Sequence, residues 1–175
     1  MSNEIDYSET KRIPGKESEV KIASIQMEPI FGDKKGNLDK TLRMINEAAD
    51  NGANVMVLPE LCNTGYMFNS RAEAFSLAEE IPGGPATQAW IEAAKERGIY
   101  LAAGIAELDG DNLYNSAVLI GPDGYIGTHR KNCLWDEERM FFEWGDRGNQ
   151  VFNTRIGRIS LLVCFDMFFP ENSVR

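Results

Sequence analysis

Between residues 20 and 58 the apolar pattern changes period twice, and that change restricts the chain to a narrow range of architectures. Residues 20–27 (Val-Lys-Ile-Ala-Ser-Ile-Gln-Met) are rich in β-branched side chains and predict a strand. Leu38, Leu42, Ile45 and Ala49 then recur on one face of a helix, with Asn37 as the expected N-cap and Asn51-Gly52 as the stop. A second strand follows at once over residues 54–58. Residues 71–80 predict another helix, and Pro82-Gly83-Gly84-Pro85 breaks it. Pro85 suits the first turn of a third helix, whose apolar face carries Trp90, Ile91 and Ala94 and which Gly98 closes. Residues 99–106 predict a strand, and residues 113–120 and 125–129 flank the turn Gly121-Pro122-Asp123-Gly124 as a hairpin. An irregular stretch, 132–150, precedes a last strand over 158–165. Helix–strand alternation followed by a hairpin favours a layered α/β fold with a mixed sheet.

Composition excludes several function classes. At 175 residues, 43% hydrophobic and 26% charged, the chain has the make-up of one ordinary globular domain. No segment approaches the roughly 20 apolar residues of a membrane span. Residues 1–19 mix charges with Ser, Pro and Gly, so they are expected to be a flexible tail ahead of a domain over 20–175, not a secretory signal. A net charge of −9 argues against nucleic acid as a partner. The three cysteines, Cys62, Cys133 and Cys164, show no C-x-x-C spacing. A disulfide framework or a zinc site is therefore not expected, and a cytoplasmic setting is. The last strand, if buried on both faces, needs a covering helix that the residues after Pro170 are too few to build. The domain is accordingly expected to be C-terminally incomplete.

Two apolar runs end in reactive residues. Ile159-Ser160-Leu161-Leu162-Val163 delivers Cys164 to an expected sharp turn, and Val55-Met56-Val57-Leu58-Pro59 ends in Glu60. With His129 the only histidine, a reactive thiol here would draw on a carboxylate as its base. Each residue has an ordinary reading too. Buried cysteines are usually inert small hydrophobes, Glu60 suits a helix start, and Lys131 in a basic run suits a solvated surface. Asp166 is expected to anchor the turn, His129 to be a hydrogen-bonded strand residue, and Trp135, Phe141, Phe142 and Trp144 to be core or pocket wall.

Taken together, three blocks settle the choice between these readings. Leu58-Pro59-Glu60-Leu61, the run Arg130-Lys131-Asn132-Cys133-Leu134-Trp135-Asp136-Glu137-Glu138, and Leu162-Val163-Cys164-Phe165-Asp166 resemble the Glu, Lys and Cys motifs of the nitrilase superfamily, the carbon–nitrogen hydrolases. Tyr114-Asn115-Ser116-Ala117, the turn at Gly121 and Phe168-Phe169-Pro170-Glu171 support the match. The resemblance implies an αββα sandwich of two sheets, and it places this chain over only the first half to two-thirds of a usual domain. It also implies that Glu60 is the general base, Lys131 the stabiliser of the tetrahedral intermediate and Cys164 the nucleophile. A second glutamate follows the lysine in the family. Glu138 fits it by its distance to Gly145, with Glu137 as the alternative.

The chemistry so implied is hydrolysis of a small amide, carbamoyl compound or nitrile through a thioester, with no cofactor. The backbone N–H of Phe165 would join Lys131 against the developing charge, and Tyr66 is a candidate for contacting substrate. The family resemblance further implies a homo-oligomer. Two other outcomes remain at this point: a silent chain that needs a partner or further sequence, and a glutaminase domain of a larger synthetase.

Overall fold

The computed structural model describes residues 20–173; the expected tail over residues 1–19 lies outside the described residues. Ten helices and strands follow in order: β1 (Ile22–Ser24), α1 (Lys34–Asp50), β2 (Val55–Val57), α2 (Arg71–Leu77), α3 (Pro85–Arg97), β3 (Tyr100–Asp109), β4 (Asn112–Gly121), β5 (Gly124–Arg130), β6 (Val151–Thr154) and β7 (Gly157–Ser160). Strands β1 to β5 lie side by side in one mixed sheet, parallel from β1 to β3 and antiparallel from β3 to β5. Strands β6 and β7 form a separate antiparallel pair.

Period-2 alternation sorts the sheet's side chains between two environments. Met56, Leu101, Ala103, Ile105, Val118 and Ile120 face α1 and α3, where they pack with Ile45, Trp90, Ile91 and Ala94. Ala117 and Leu119 face the other way and pack with Leu161 and Val163, flanked by Ala102, Phe152 and Ile159. That second face bounds a cleft of about 470 Å³ between the sheet and residues 159–164. Val57, 45% exposed, and Ile22, 66% exposed, leave this part of the sheet thinly covered.

Several boundaries move for identifiable reasons. α1 begins one turn before the expected Asn37 because Asp33 caps it, its side chain accepting from the Gly36 N–H. Asn37 is instead buried within the helix and binds Ile30 and the Asn63 carbonyl, pinning the loop that follows Glu60. The helix expected over 71–80 ends at Leu77, and Glu79 turns inward to bond the α3 N-terminus at Ala86 and the Lys34 ammonium. α3 is as expected, with Pro85 first and Gly98 left-handed at φ 66°. The strands expected over 99–106 and 113–120 extend toward each other as β3 and β4 and meet in a tight turn at Gly110 (φ 60°), a hairpin in addition to the expected one. β6 forms where no element is expected, and the last strand stops at Ser160 rather than Phe165. Arg158 and Ser160 are exposed, so this strand is not buried on both faces.

Candidate active site

A run of four residues at the end of β5 and just past it decides where the site lies. Thr128, His129, Arg130 and Lys131 are at most 2% exposed, although three of them are basic. Buried cations require partners. Arg130 donates from Nε and Nη2 to Glu107, from Nη2 also to Asp109 and from Nη1 to Asp146, with its guanidinium 3.7 Å over the Tyr114 ring. That network belongs to the sheet's end and anchors the residue before Lys131.

Lys131 lies between two carboxylates. Its Nζ donates to Oε1 of Glu60 at 2.6 Å and to Oε1 of Glu138 at 2.8 Å. Burial pulls the ammonium's pKa down, but hydrogen bonds to Glu138 and Glu60 outweigh it and hold the group above the ordinary lysine value. Glu138 is buried in the 3-10 turn Asp136–Met140, whereas Glu137 is exposed, so Glu138 is the residue that joins the cluster. Its Oε1 also accepts from the Tyr66 hydroxyl (2.5 Å) and Asn115 Nδ2 (3.0 Å), and its Oε2 from the Trp135 N–H (2.6 Å). Burial pushes Glu138 up, yet the bonds from Lys131, Tyr66 and Trp135 keep it below the ordinary carboxylate range. Glu60 receives fewer donors, Lys131 Nζ and Asn115 Nδ2, both on Oε1. Its backbone lies close against β3, where only glycine fits: a Cβ on Gly104 would fall 2.5 Å from the Glu60 Cα.

Cys164 enters from the other side of the cleft. Val163 is still extended, and Cys164 turns left-handed at φ 46° to open the 3-10 turn Cys164–Phe168. Glu60 and Cys164 line the same cleft, and burial together with the facing Glu60 charge raises the thiol's pKa, against an opposing pull from Lys131. The non-glycine residues at positive φ among those described are Leu61, Asp136 and Cys164. Each is a site residue or lies within two positions of one, and left-handed backbone of this kind concentrates where a site is built.

One carboxylate anchors that turn. Asp166, fully buried, accepts from the N–H groups of Asn132 (3.0 Å), Cys133 (2.8 Å) and Val163 (3.1 Å), and pairs with His129 Nε2 at 2.8 Å. It ties the thiol's turn to the lysine's loop. Cys62, buried and bonded to the Gly104 carbonyl, has its thiol pushed up to about 12 by desolvation. Phe141 and Phe142 are core, as expected, but Trp135 and Trp144 are more than half exposed; Trp135 instead meets the Phe165 ring edge-on at 4.7 Å.

Glu60, which is bound to Lys131 and through it to Glu138, thus lines the same cleft as Cys164, and the sequence matches the carbon–nitrogen hydrolase family model over residues 21–175. The chain belongs to the carbon–nitrogen hydrolase family. It is 46% identical over 154 residues to a nitrilase of Pyrococcus abyssi, covering 88% of this chain and 59% of that one. To an (R)-stereoselective amidase of a Pseudomonas species it is 33% identical, covering 88% and 54%. Among solved structures it resembles Nit3 of Saccharomyces cerevisiae (29% identical, TM-score 0.76, 88% of this chain and 58% of that one). An amidase from Nesterenkonia sp. is also similar (25% identical, TM-score 0.72, 87% and 58%). The chain therefore spans little more than half the length of these relatives.

Within this carbon–nitrogen hydrolase, sequence reasoning did not assign Asn115 or the donor role of Tyr66. Asn115 had a signal: asparagine is depleted in strands, and here it stands in the otherwise largely apolar run of β4. Tyr66, expected to contact substrate, donates its hydroxyl to Glu138. Among the described residues, no group of three or more His, Cys, Asp or Glu is placed to hold a metal ion. None of their helices is long and apolar enough to cross a membrane.

Proposed function

We propose that this chain carries the reaction centre of a hydrolase that cleaves a non-peptide C–N bond of a small amide, carbamoyl compound or nitrile through a thioester on Cys164. The observation that carries this reading is one ammonium held by two carboxylates, with a thiol facing the less encumbered of them. Relatives named as nitrilase and as amidase support the reaction class.

For an amide the steps follow from the loading of each group. The raised thiol is neutral near pH 7, so Glu60 takes its proton as sulfur attacks the carbonyl carbon. Negative charge grows on the carbonyl oxygen, where Lys131 and the Phe165 N–H oppose it. The intermediate collapses, the C–N bond breaks, and protonated Glu60 returns the proton to the departing amine or ammonia. A water deprotonated by Glu60 then attacks the thioester and releases the acid with the thiol restored. Glu138 takes no proton in this scheme; its four donors keep it an anion that holds Lys131 charged and aimed. Cys164→Ala should abolish turnover, and Glu60→Gln should stall formation of the acyl-enzyme, read by mass spectrometry of the trapped adduct. Retained hydrolysis in Cys164→Ala ends the proposal.

A second reading has its own observation. Val57, Ile22 and Val151 are exposed apolar residues on β2, β1 and β6. On this reading activity requires a second copy or further chain over these residues: thermal melting and size-exclusion chromatography of the 175 residues test this, and a cooperative, active monomer counts against it.

A further inference from the structure

Asn115 is fully buried on β4, and its two amide ends are treated unequally. Nδ2 lies 2.6 Å from Oε1 of Glu60 and 3.0 Å from Oε1 of Glu138, while the buried Oδ1 has no partner. The reverse orientation would set Oδ1 against two carboxylate oxygens, so the acceptors dictate this one. A buried carbonyl left unpaired in a native core calls for an explanation. Here both N–H bonds of one nitrogen go to the two oxygens that Lys131 also binds, closing a ring of two donors and two acceptors.

We propose that Asn115 is a positioning residue for the reaction: its amide nitrogen pins Oε1 of Glu60 beside Oε1 of Glu138, leaving Oε2 as the Glu60 oxygen with capacity for the thiol proton. This rests on the reading of Glu60 as the base. The charged and titratable groups around Glu60 are Lys131, Glu138 and Cys164, with the Tyr66 hydroxyl across Glu138. Glu138 keeps three other donors if Asn115 is removed, but Glu60 keeps only Lys131 and the Cys164 thiol. Loss of the amide therefore falls on Glu60, whose Oε1 loses one of its donors and with it the hold on the carboxylate's orientation.

The test follows alkylation of the Cys164 peptide by iodoacetamide against pH, by mass spectrometry on the intact chain, so it needs no hydrolysis. Wild type should show an acid limb that Glu60→Gln removes. Asn115→Ala should displace that limb and slow alkylation roughly tenfold within it, because the carboxylate oxygen is no longer held in place. Asn115→Asp, which preserves volume and adds a carboxylate, should move it further and decides the matter if the alanine variant does not fold. In hydrolysis, kcat should fall and KM stay near wild type. A limb unmoved in a folded variant overturns the role of Asn115 while leaving Glu60 as base. A wild-type profile without a Glu60-dependent limb overturns both.

Discussion

The two sides of the site are built in opposite ways. Lys131, Glu60 and Glu138 form a cage with cross-links from many directions: β4 through Asn115, the loop after β2 through Tyr66, and the 3-10 turn through the Trp135 N–H. Cys164 stands on a turn whose main polar tie to the body is one residue, Asp166, and it is itself exposed. Charged groups must be caged because an unbalanced buried charge costs several kcal/mol. A thiol is neutral, so it can be carried on a lighter mount and remain reachable. The cage sets protonation; the mount sets reach.

Breaking the cage should have the larger effect. Lys131→Met leaves the carboxylates facing one another without their cation, and should cost about 3–5 kcal/mol at neutral pH and turnover by at least about a hundredfold. Its sign with pH is diagnostic. In wild type Glu138 is lowered, so its contribution is present above pH 4.5 and is lost as pH falls through the folded value. In Lys131→Met Glu138 loses that cation and burial pushes it up instead, so stability should grow as pH drops from 7 to 5. Melting curves across that range check it, and parallel curves for both proteins would contradict the cage.

Loosening the mount comes next. Asp166→Asn puts an NH₂ among N–H donors and should cost about 2–3 kcal/mol through unmade buried bonds. The melting temperature should fall, and kcat with it, while the acid-side dependence due to Glu138 persists. The comparison is sharpened if Cys164 loses its alkylation selectivity under these conditions.

Tyr66→Phe is the mildest change. It removes one of four donors from Glu138, a difference of about 1 kcal/mol or roughly fivefold in kcat. A loss as large as that of Lys131→Met would mean that the hydroxyl meets substrate directly.

What was legible before the structure was local. Pro85 and Gly98 mark α3 because each sets its own φ, and Gly121 to Gly124 marks the β4–β5 hairpin for the same reason. The site's members could be named from three short blocks. α1 starts a turn before the expected cap because Asp33 and Asn37 are both good caps, and the Asn37 side chain is taken up by Ile30 and Asn63. Arg158 to Ser160 read as a buried strand because apolar runs do not disclose whether a partner covers them.

The amino-acid sequence by itself determined the alternation of helix and strand, the family and the residue types at the site, since propensity, turn chemistry and motif spacing act over a few neighbouring residues. The tertiary structure alone decided that Lys131 is buried rather than solvated, that Glu138 and not Glu137 meets it, and that Asn115 spans both glutamates. Those outcomes depend on contacts between residues 7 to 72 positions apart, whose strength comes from desolvation that only the packed sheet and its loops impose.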